Sequence, residues 1–285
     1  MFLKKLSLVN FKNMAQADLE FSERLNFFVG RNGSGKTNLL DAIHYLSLCK
    51  SYFNPIDSQN ILYDADFFVI DGHFELDGKD EKVYCGVKRQ HKKKFKRNDK
   101  EYDRLANHVG LFPLVMISPS DTDFIQGGSD VRRKFIDSII SQFDKEYLET
   151  LINYNKILSQ RNALLKIFVE KRTFDADTLE TYNVQMALLG SKVYDKRKDF
   201  IGQFIPVFQK HYEFISGGNE QVGIEYQSQL NEAGMKELLS QALSKDRAVQ
   251  YSTVGIHKDD LNFTISGYPI KNTVRKDSRN LFWLP

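Results

Sequence analysis

The chain has 285 residues, with 40 Lys and Arg against 37 Asp and Glu, a formal net charge of +3. With 41% hydrophobic and 27% charged residues it has a globular composition, which excludes wholesale disorder, and its length supports one large domain, or one domain with a smaller insertion, without disulfide or metal staples. Cys49 and Cys85 share no metal or redox spacing, no apolar run is long enough to cross a bilayer, and Lys4 and Lys5 lack the apolar stretch of a signal peptide, so the expectation is a soluble cytoplasmic protein with no membrane partner.

Residues 1–30 read as strands: apolar residues recur from Leu3 to Phe11 and alternate at Leu25, Phe27 and Val29. A glycine-rich loop follows, then a helix with Leu39, Ile43 and Leu46 on one face. Strand patterns continue at Phe67 to Ile70, Phe74, Leu76 and Val83 to Val87. The basic run Lys88 to Lys100 sits beside an Asn98-Asp99 turn, and Leu111 to Ile117 reads as a buried strand ended by Ser118-Pro119. From Gly127 the period changes. Val131, Phe135, Ile139 and Ile140 fit a helix, Leu151, Leu158 and Leu165 recur every seven residues, and Tyr182, Met186, Leu189, Val193, Phe200, Phe204 and Phe208 fit another. Two long amphipathic helices joined around Arg172 to Asp177 predict an antiparallel arm, an ordinary helical subdomain rather than an extended coiled coil. Strand patterns return at Val222, Ile224 and Tyr226, with a helix near Glu232 to Lys245 and a strand at Leu261, Phe263 and Ile265.

The loop Gly30-Arg31-Asn32-Gly33-Ser34-Gly35-Lys36-Thr37 is a full G-x-x-x-x-G-K-T match. Glycines at 30, 33 and 35 open backbone conformations closed to other residues and turn successive amides inward, making an anion nest at a helix N-terminus. Lys36 is placed to meet the β- and γ-phosphates of a nucleotide, and the Thr37 hydroxyl to ligate Mg²⁺. The strand expected to end at Val29 and the helix expected to start near Lys36 supply the required context.

Other candidates are weaker. Lys92, Lys93, Lys94, Lys96 and Arg97 lie in the densest basic run, which reads equally as a hairpin contacting DNA phosphates or as a solvated hairpin tip. Arg132 and Arg133 fit structural ion pairs better than phosphate contacts. His257-Lys258-Asp259-Asp260 has metal-ligand residue types at adjacent spacing, which favours a strand or turn role over a metal site. The six histidines assemble no catalytic triad.

A loop this near Met1, behind Leu8-Val9-Asn10-Phe11-Lys12-Asn13, resembles the ATPase heads of SMC and ABC-type DNA-maintenance proteins. Four further stretches narrow the resemblance to the RecF family. They are Gly127-Gly128-Ser129 leading to Arg132-Arg133-Lys134-Phe135-Ile136-Asp137, Leu158-Ser159-Gln160-Arg161-Asn162-Ala163-Leu164-Leu165, Ile117-Ser118-Pro119-Ser120-Asp121, and Gly255-Ile256-His257-Lys258-Asp259-Asp260-Leu261, with Ile256 where proline is usual. The resemblance implies an α/β P-loop ATPase head, a mixed sheet with helices, carrying an inserted helical arm. The implied layout is residues 1–126 as the N-terminal part of the head, 127–215 as the arm and 216–272 as the return to the head. It further implies ATP and Mg²⁺ as cofactors and an ATP-dependent homodimer. The implied partners are single-stranded and gapped duplex DNA, RecR and RecO-type mediators, and RecA indirectly, in recombinational repair, replication restart and the SOS response.

One departure follows from the same resemblance. The S-x-G-Q signature, Walker B strand and switch histidine of the family are not found in these 285 residues, and 273–285 read as an aberrant tail. Codons valid for Asn272 onward, read from the last base of the Asn272 codon, spell Y-G-S-Q-G-Q, so a frameshifted signature segment is the expectation and a divergent terminus the alternative. Nucleotide binding without hydrolysis is expected. The rival readings are a nonfunctional fragment, an SMC-like structural protein, for which the helical region is too short, and a P-loop kinase or GTPase, for which no N-K-x-D element is found.

Overall fold

A computed structural model describes residues 1–270, and the expected frameshifted tail lies outside the described residues. The chain forms two compact units, divided at Met116 and Ile117.

In the first unit β1 (Phe2–Phe11) and β2 (Met14–Glu20) form a hairpin, α1 (Lys36–Leu48) follows the glycine-rich loop, and β3 (Phe67–Leu76), β4 (Lys79–Lys88), β5 (Lys94–Arg97) and β6 (Lys100–Glu101) follow. They make a six-stranded sheet of order β2-β1-β3-β4-β5-β6. Every described ladder is antiparallel where a mixed sheet was expected, because most successive strands turn straight back, whereas a parallel pair needs a long crossover. Two of the two-residue turns have positive φ at both positions, Asp77-Gly78 at 52° and 76° and Asn98-Asp99 at 49° and 63°. Positive φ at both positions gives the turn whose twist matches the strands it joins.

Alternation along the strands puts Leu6 and Leu8 of β1, Phe68, Ile70 and Phe74 of β3, and Val83, Cys85 and Val87 of β4 into one core. Leu39, Ala42, Tyr45 and Leu46 of α1 complete it. Gly72 takes the remaining inward place on β3, where a Cβ would stand 2.4 Å from Leu46 Cδ1. His108 is fully buried in the same unit, its ring against Phe95, Tyr102 and Phe112. Its Nε2–H donates to Leu46 O at 2.7 Å and its Nδ1 accepts from the Tyr102 hydroxyl at 3.1 Å, the arrangement of a neutral imidazole.

Two expected strands do not form. Leu25, Phe27 and Val29 are 73%, 83% and 94% exposed, and Val115 and Ile117 are exposed although Phe112 is buried. Apolar alternation marks a surface suited to burial, but a strand exists only where a neighbour completes its ladder, and among the described residues none pairs with these segments.

The second unit contains α2 (Asp123–Gln126), α3 (Ser129–Phe143), α4 (Lys145–Glu170), α5 (Ala176–Ser216), β7 (Val222–Gln227), α6 (Met235–Val249), β8 (Asp260–Ile265) and β9 (Tyr268–Pro269). Asp144 caps α4 by accepting from Tyr147 N, Asp175 caps α5 by accepting from Thr178 N, and Gly217 at φ 63° ends α5. The three-stranded sheet β7-β8-β9 packs with the helices, so residues 216–270 are compact with the arm.

Charged groups are buried within the apolar core of this unit. Arg132, Arg161 and Arg197 are its largest fully buried side chains. Arg132 meets Asp260 in a two-pronged pair at 2.5 and 3.0 Å and also donates to Phe124 O and Gly127 O. Arg161 pairs with buried Asp246 at 2.7 Å and donates to Ser252 Oγ and Asn183 Oδ1. Arg197 bonds Asp137 at 3.0 Å, Asp259 at 2.9 Å and Ile256 O at 2.8 Å. Burial opposes its charge, but Asp137, Tyr147, Tyr226 and Asp259 more than offset that, and the guanidinium stays protonated. Arg133 donates to Asp259 O, and Asn162 accepts from Ser252 N. The Arg132–Asp260 ion pair and the bond from Arg133 to Asp259 O therefore join the arginine-rich stretch to the histidine-aspartate stretch, while Arg161 and Asn162 of the asparagine stretch bond Asp246 and Ser252.

Two outcomes follow. Arg197→Ala leaves Asp137 and Asp259 without their buried partner and should lower unfolding free energy by about 3–5 kcal/mol, whereas Lys196→Ala, in an exposed pair with Asp144, should cost no more than about 1 kcal/mol. Urea denaturation of both variants checks the contrast. Burial lowers the His108 pKa to about 4 from its ordinary 6.5, so on acidification the unfolded chain takes up that proton first. Its contribution to stability is complete above about pH 6.5 and is lost as pH falls towards 4, with a slope of up to about 1.4 kcal/mol per pH unit. The urea midpoint should fall across this window, less steeply in His108→Gln.

Candidate functional site

The loop at residues 30–37 runs directly into α1. Gly33 at φ 82° and Gly35 at φ 97° hold left-handed conformations that side-chain-bearing residues adopt at a cost. Gly35 also has no room: a Cβ there would stand 2.9 Å from Met14 Cε and 3.0 Å from Asn13 Oδ1. Ser34 N donates to Arg31 O at 3.2 Å, folding the tip into a turn. The first α-helical bond is Leu39 N to Gly35 O at 2.9 Å, so the amides of Gly35, Lys36, Thr37 and Asn38 have no carbonyl behind them within the helix. Gly35 supplies no side-chain cap and the first turn carries no acid. Unsatisfied amides, the positive end of the helix dipole and an adjacent cation together form an anion cradle.

Lys36 Nζ donates to Gly30 O at 2.8 Å and Arg31 O at 2.9 Å, which holds the ammonium over its own loop. Arg31, Asn32, Gly33, Ser34 and Thr37 are exposed, with Gly30 at the entrance, where a Cβ would meet Ser34 Oγ at 3.0 Å. A polyphosphate with a bound divalent cation fits this donor set: amides and Lys36 for the anion, the Thr37 hydroxyl for the cation. The expected strand before the loop is missing from the described ladders, whereas the expected helix after it starts at Lys36.

Sequence reasoning passed over the support for this loop. Asn13, in the β1–β2 turn, donates from Nδ2 to Gly33 O at 2.7 Å and accepts from Asn38 Nδ2 at 2.7 Å. Lys12 pairs with fully buried Asp41 of α1 at 2.5 Å. No local pattern marks these contacts, since they join residues 20 to 29 positions apart.

The basic run divides into two kinds of side chain. Lys92 and Lys94 are exposed, and Lys96 lies over the Tyr84 ring, 5.9 Å from its centre. Lys93 departs from both sequence readings: it is turned inward, pairing with Asp57 at 2.8 Å and donating to Cys49 O at 2.7 Å and the Tyr45 hydroxyl at 3.2 Å. Arg97 is likewise engaged, bonding Glu81 through two nitrogens at 2.8 and 2.6 Å and, with Asn98, holding that carboxyl below the ordinary carboxylate range. Both cations satisfy carboxylates that the fold brings against the sheet and the end of α1, so neither belongs to a solvated hairpin tip.

The His257 stretch is a turn leading into β8. His257 shares a hydrogen bond between Nδ1 and the Tyr154 hydroxyl and donates from Nε2 to Ser252 O at 3.0 Å. Among the described residues no group of His, Cys, Asp and Glu is arranged to hold a metal ion, and no helix is long and apolar enough to cross a membrane.

Fold and loop together define an α/β P-loop ATPase head of the SMC kind. Residues 2–244 match the family model described as the RecF/RecN/SMC N-terminal domain. The chain is 52% identical over 272 residues to the DNA replication and repair protein RecF of Phocaeicola vulgatus, which covers 95% of this chain and 72% of the relative. The RecF of Flavobacterium johnsoniae is 50% identical over 271 residues, covering 95% and 76%. A solved structure of the recombination mediator protein RecF with ATP, from the RecFOR pathway, matches with a TM-score of 0.92 at 29% identity, over 99% of this chain and 78% of that one. Within the SMC-related class, the chain belongs to the RecF family.

The two kinds of basic residue are separable by experiment. Lys93→Ala removes a half-buried charged partner of Asp57 and should lower stability by about 1.5–3 kcal/mol, while Lys92→Ala should stay within about 0.5 kcal/mol of the parent in urea denaturation.

Proposed function

We propose that residues 30–37 bind ATP with Mg²⁺, and that the chain is an ATP-dependent DNA-binding protein of recombinational repair and replication restart. It acts in the cytoplasm at single-strand gaps, engages RecO- and RecR-type mediators and a second copy of itself, and through them favours loading of the recombinase. The single observation behind the nucleotide reading is the uncapped start of α1, where four amides and Lys36 face a loop shaped by two left-handed glycines. ATP, when bound, supplies the triphosphate whose charge those groups neutralise. Gly33 and Gly35 keep the amides turned towards it, Lys36 leaves Gly30 O and Arg31 O for the phosphate oxygens, and Thr37 offers its hydroxyl to the cation. The RecF structure solved with ATP, and a second RecF structure named for an ATP analogue, support this reading by likeness.

The DNA-binding part rests on exposed Lys92 and Lys94 and half-buried Lys96 of the basic run. Lys92, Lys94 and Lys96 are the side chains proposed to meet phosphates, with Lys93 and Arg97 bracing the hairpin that carries them.

Calorimetric titration with Mg-ATP tests the nucleotide site. Lys36→Ala removes a charge-assisted hydrogen bond of about 1.5–3 kcal/mol and should bind roughly 10- to 100-fold more weakly, and equal affinities would sink the assignment. For DNA, neutralising Lys92, Lys94 and Lys96 together should flatten the slope of log K against log salt by about 0.9 for each duplex phosphate that is no longer neutralised. An unchanged slope returns these lysines to the solvated-tip reading.

A further inference from the structure

The β1–β2 turn reaches across to the phosphate loop and to α1. Lys12 stands at φ 53° and donates its amide to Asn60 O at 2.8 Å, which fixes the turn from behind. Its ammonium is locked to Asp41, which also accepts from Ser51 Oγ and Tyr52 N at 2.6 Å each. Asn13, carried on this anchored turn, uses both ends of its side-chain amide: Asn38 donates to Oδ1, and Nδ2 donates to Gly33 O. Gly33 O can only accept, so Nδ2 must face the loop, and Oδ1 is left to accept from Asn38.

Gly33 O and Ser34 N belong to one planar trans peptide. A flip of that plane turns Gly33 ψ and Ser34 φ, and Gly33, at φ 82°, carries no Cβ of its own to oppose it. In this structure the plane is held at both ends, its oxygen by Asn13 and its N–H by Arg31 O. Gly35 closes against the same side chain, with the place of a Cβ 3.0 Å from Asn13 Oδ1.

We propose that Asn13 is a positioning residue for nucleotide binding: it pins the Gly33–Ser34 peptide so that the phosphate loop is preformed before the ligand arrives. This rests on the reading of residues 30–37 as the nucleotide site. Asn13 itself is exposed, so its bonds add little to global stability, and what they fix is the shape of the loop.

The test uses the full chain and three measurements on Asn13→Ala. Without nucleotide, amide hydrogen exchange in a peptide spanning residues 30–37 should quicken about tenfold, with exchange elsewhere unchanged. Mg-ATP affinity should fall about fivefold to tenfold while the thermal midpoint stays at the parent value. Asn38→Ala should weaken ATP binding in the same sense, and the double variant should lose less than the sum of the two, because one substitution already releases the amide that the other orients. Unchanged loop exchange overturns the positioning role, and so does faster exchange spread over the whole chain with a lowered midpoint, which is the mark of a merely structural residue. A parent chain without ATP affinity overturns the underlying nucleotide reading, and the loop exchange tells that failure apart from a failure of Asn13.

Discussion

A buried guanidinium cannot shed its proton, so a fold that encloses one must bring carboxylates and carbonyls to it from wherever they lie in sequence. The second unit depends on this demand. Arg197 sits near the middle of α5 and requires Asp137 from α3 and Asp259 from the approach to β8, while Arg132 of α3 requires Asp260, the first residue of β8. Arg161 imposes a like condition between α4, α5 and α6. Apolar contacts surround these pairs and supply most of the favourable free energy, but they would tolerate a sliding of one helix past another. Fixed donor geometry does not. The register observed for α4 and α5 satisfies all three arginines together.

The first unit solves a different problem, the anchoring of a helix whose N-terminus is left uncapped. Bonds made elsewhere along α1 hold it in place. Asp41 receives Lys12, Ser51 and Tyr52, Leu46 O receives His108, and Ser47 Oγ donates to Phe112 O. Lys93 donates to Cys49 O just beyond its C-terminus, where the helix dipole favours a cation. With its flank and far end fixed and its apolar face packed on the sheet, α1 can leave its first amides unsatisfied for an anion without fraying.

The stretches that most clearly carried the family resemblance thus divide by physical role. The glycine-lysine loop is a surface feature whose chemistry faces outward. Arg132, Arg133, Asp137, Arg161, Asn162, His257, Asp259 and Asp260 are buried or half-buried and bond to other parts of the second unit. A pattern of charged residues in sequence therefore signals structure as readily as function, and burial is what separates the two.

Much was legible in the residues taken alone. Period-two runs located β1, β3, β4, β7 and β8, heptad and three-four spacing located α3 to α5, and Asn98-Asp99 marked a tight turn, because each of these depends on neighbours within a few positions. The phosphate loop was legible for the same reason, its glycines, lysine and threonine lying within eight residues. What sequence could not decide was which apolar runs would find a partner: Leu25 to Val29 alternate as well as Leu6 and Leu8, yet only the latter are bonded into a described ladder. Nor could it separate Lys93 from Lys92, adjacent and identical, since one is claimed by Asp57 and the other faces water. Nor did any local pattern tie Asn13 to the phosphate loop, since its bond to Gly33 O spans 20 positions. Local spacing sets local conformation and chemistry, but ladder partners, buried ion pairs and the bracing of a loop are contacts between distant residues, and only the tertiary structure brings those within bonding distance.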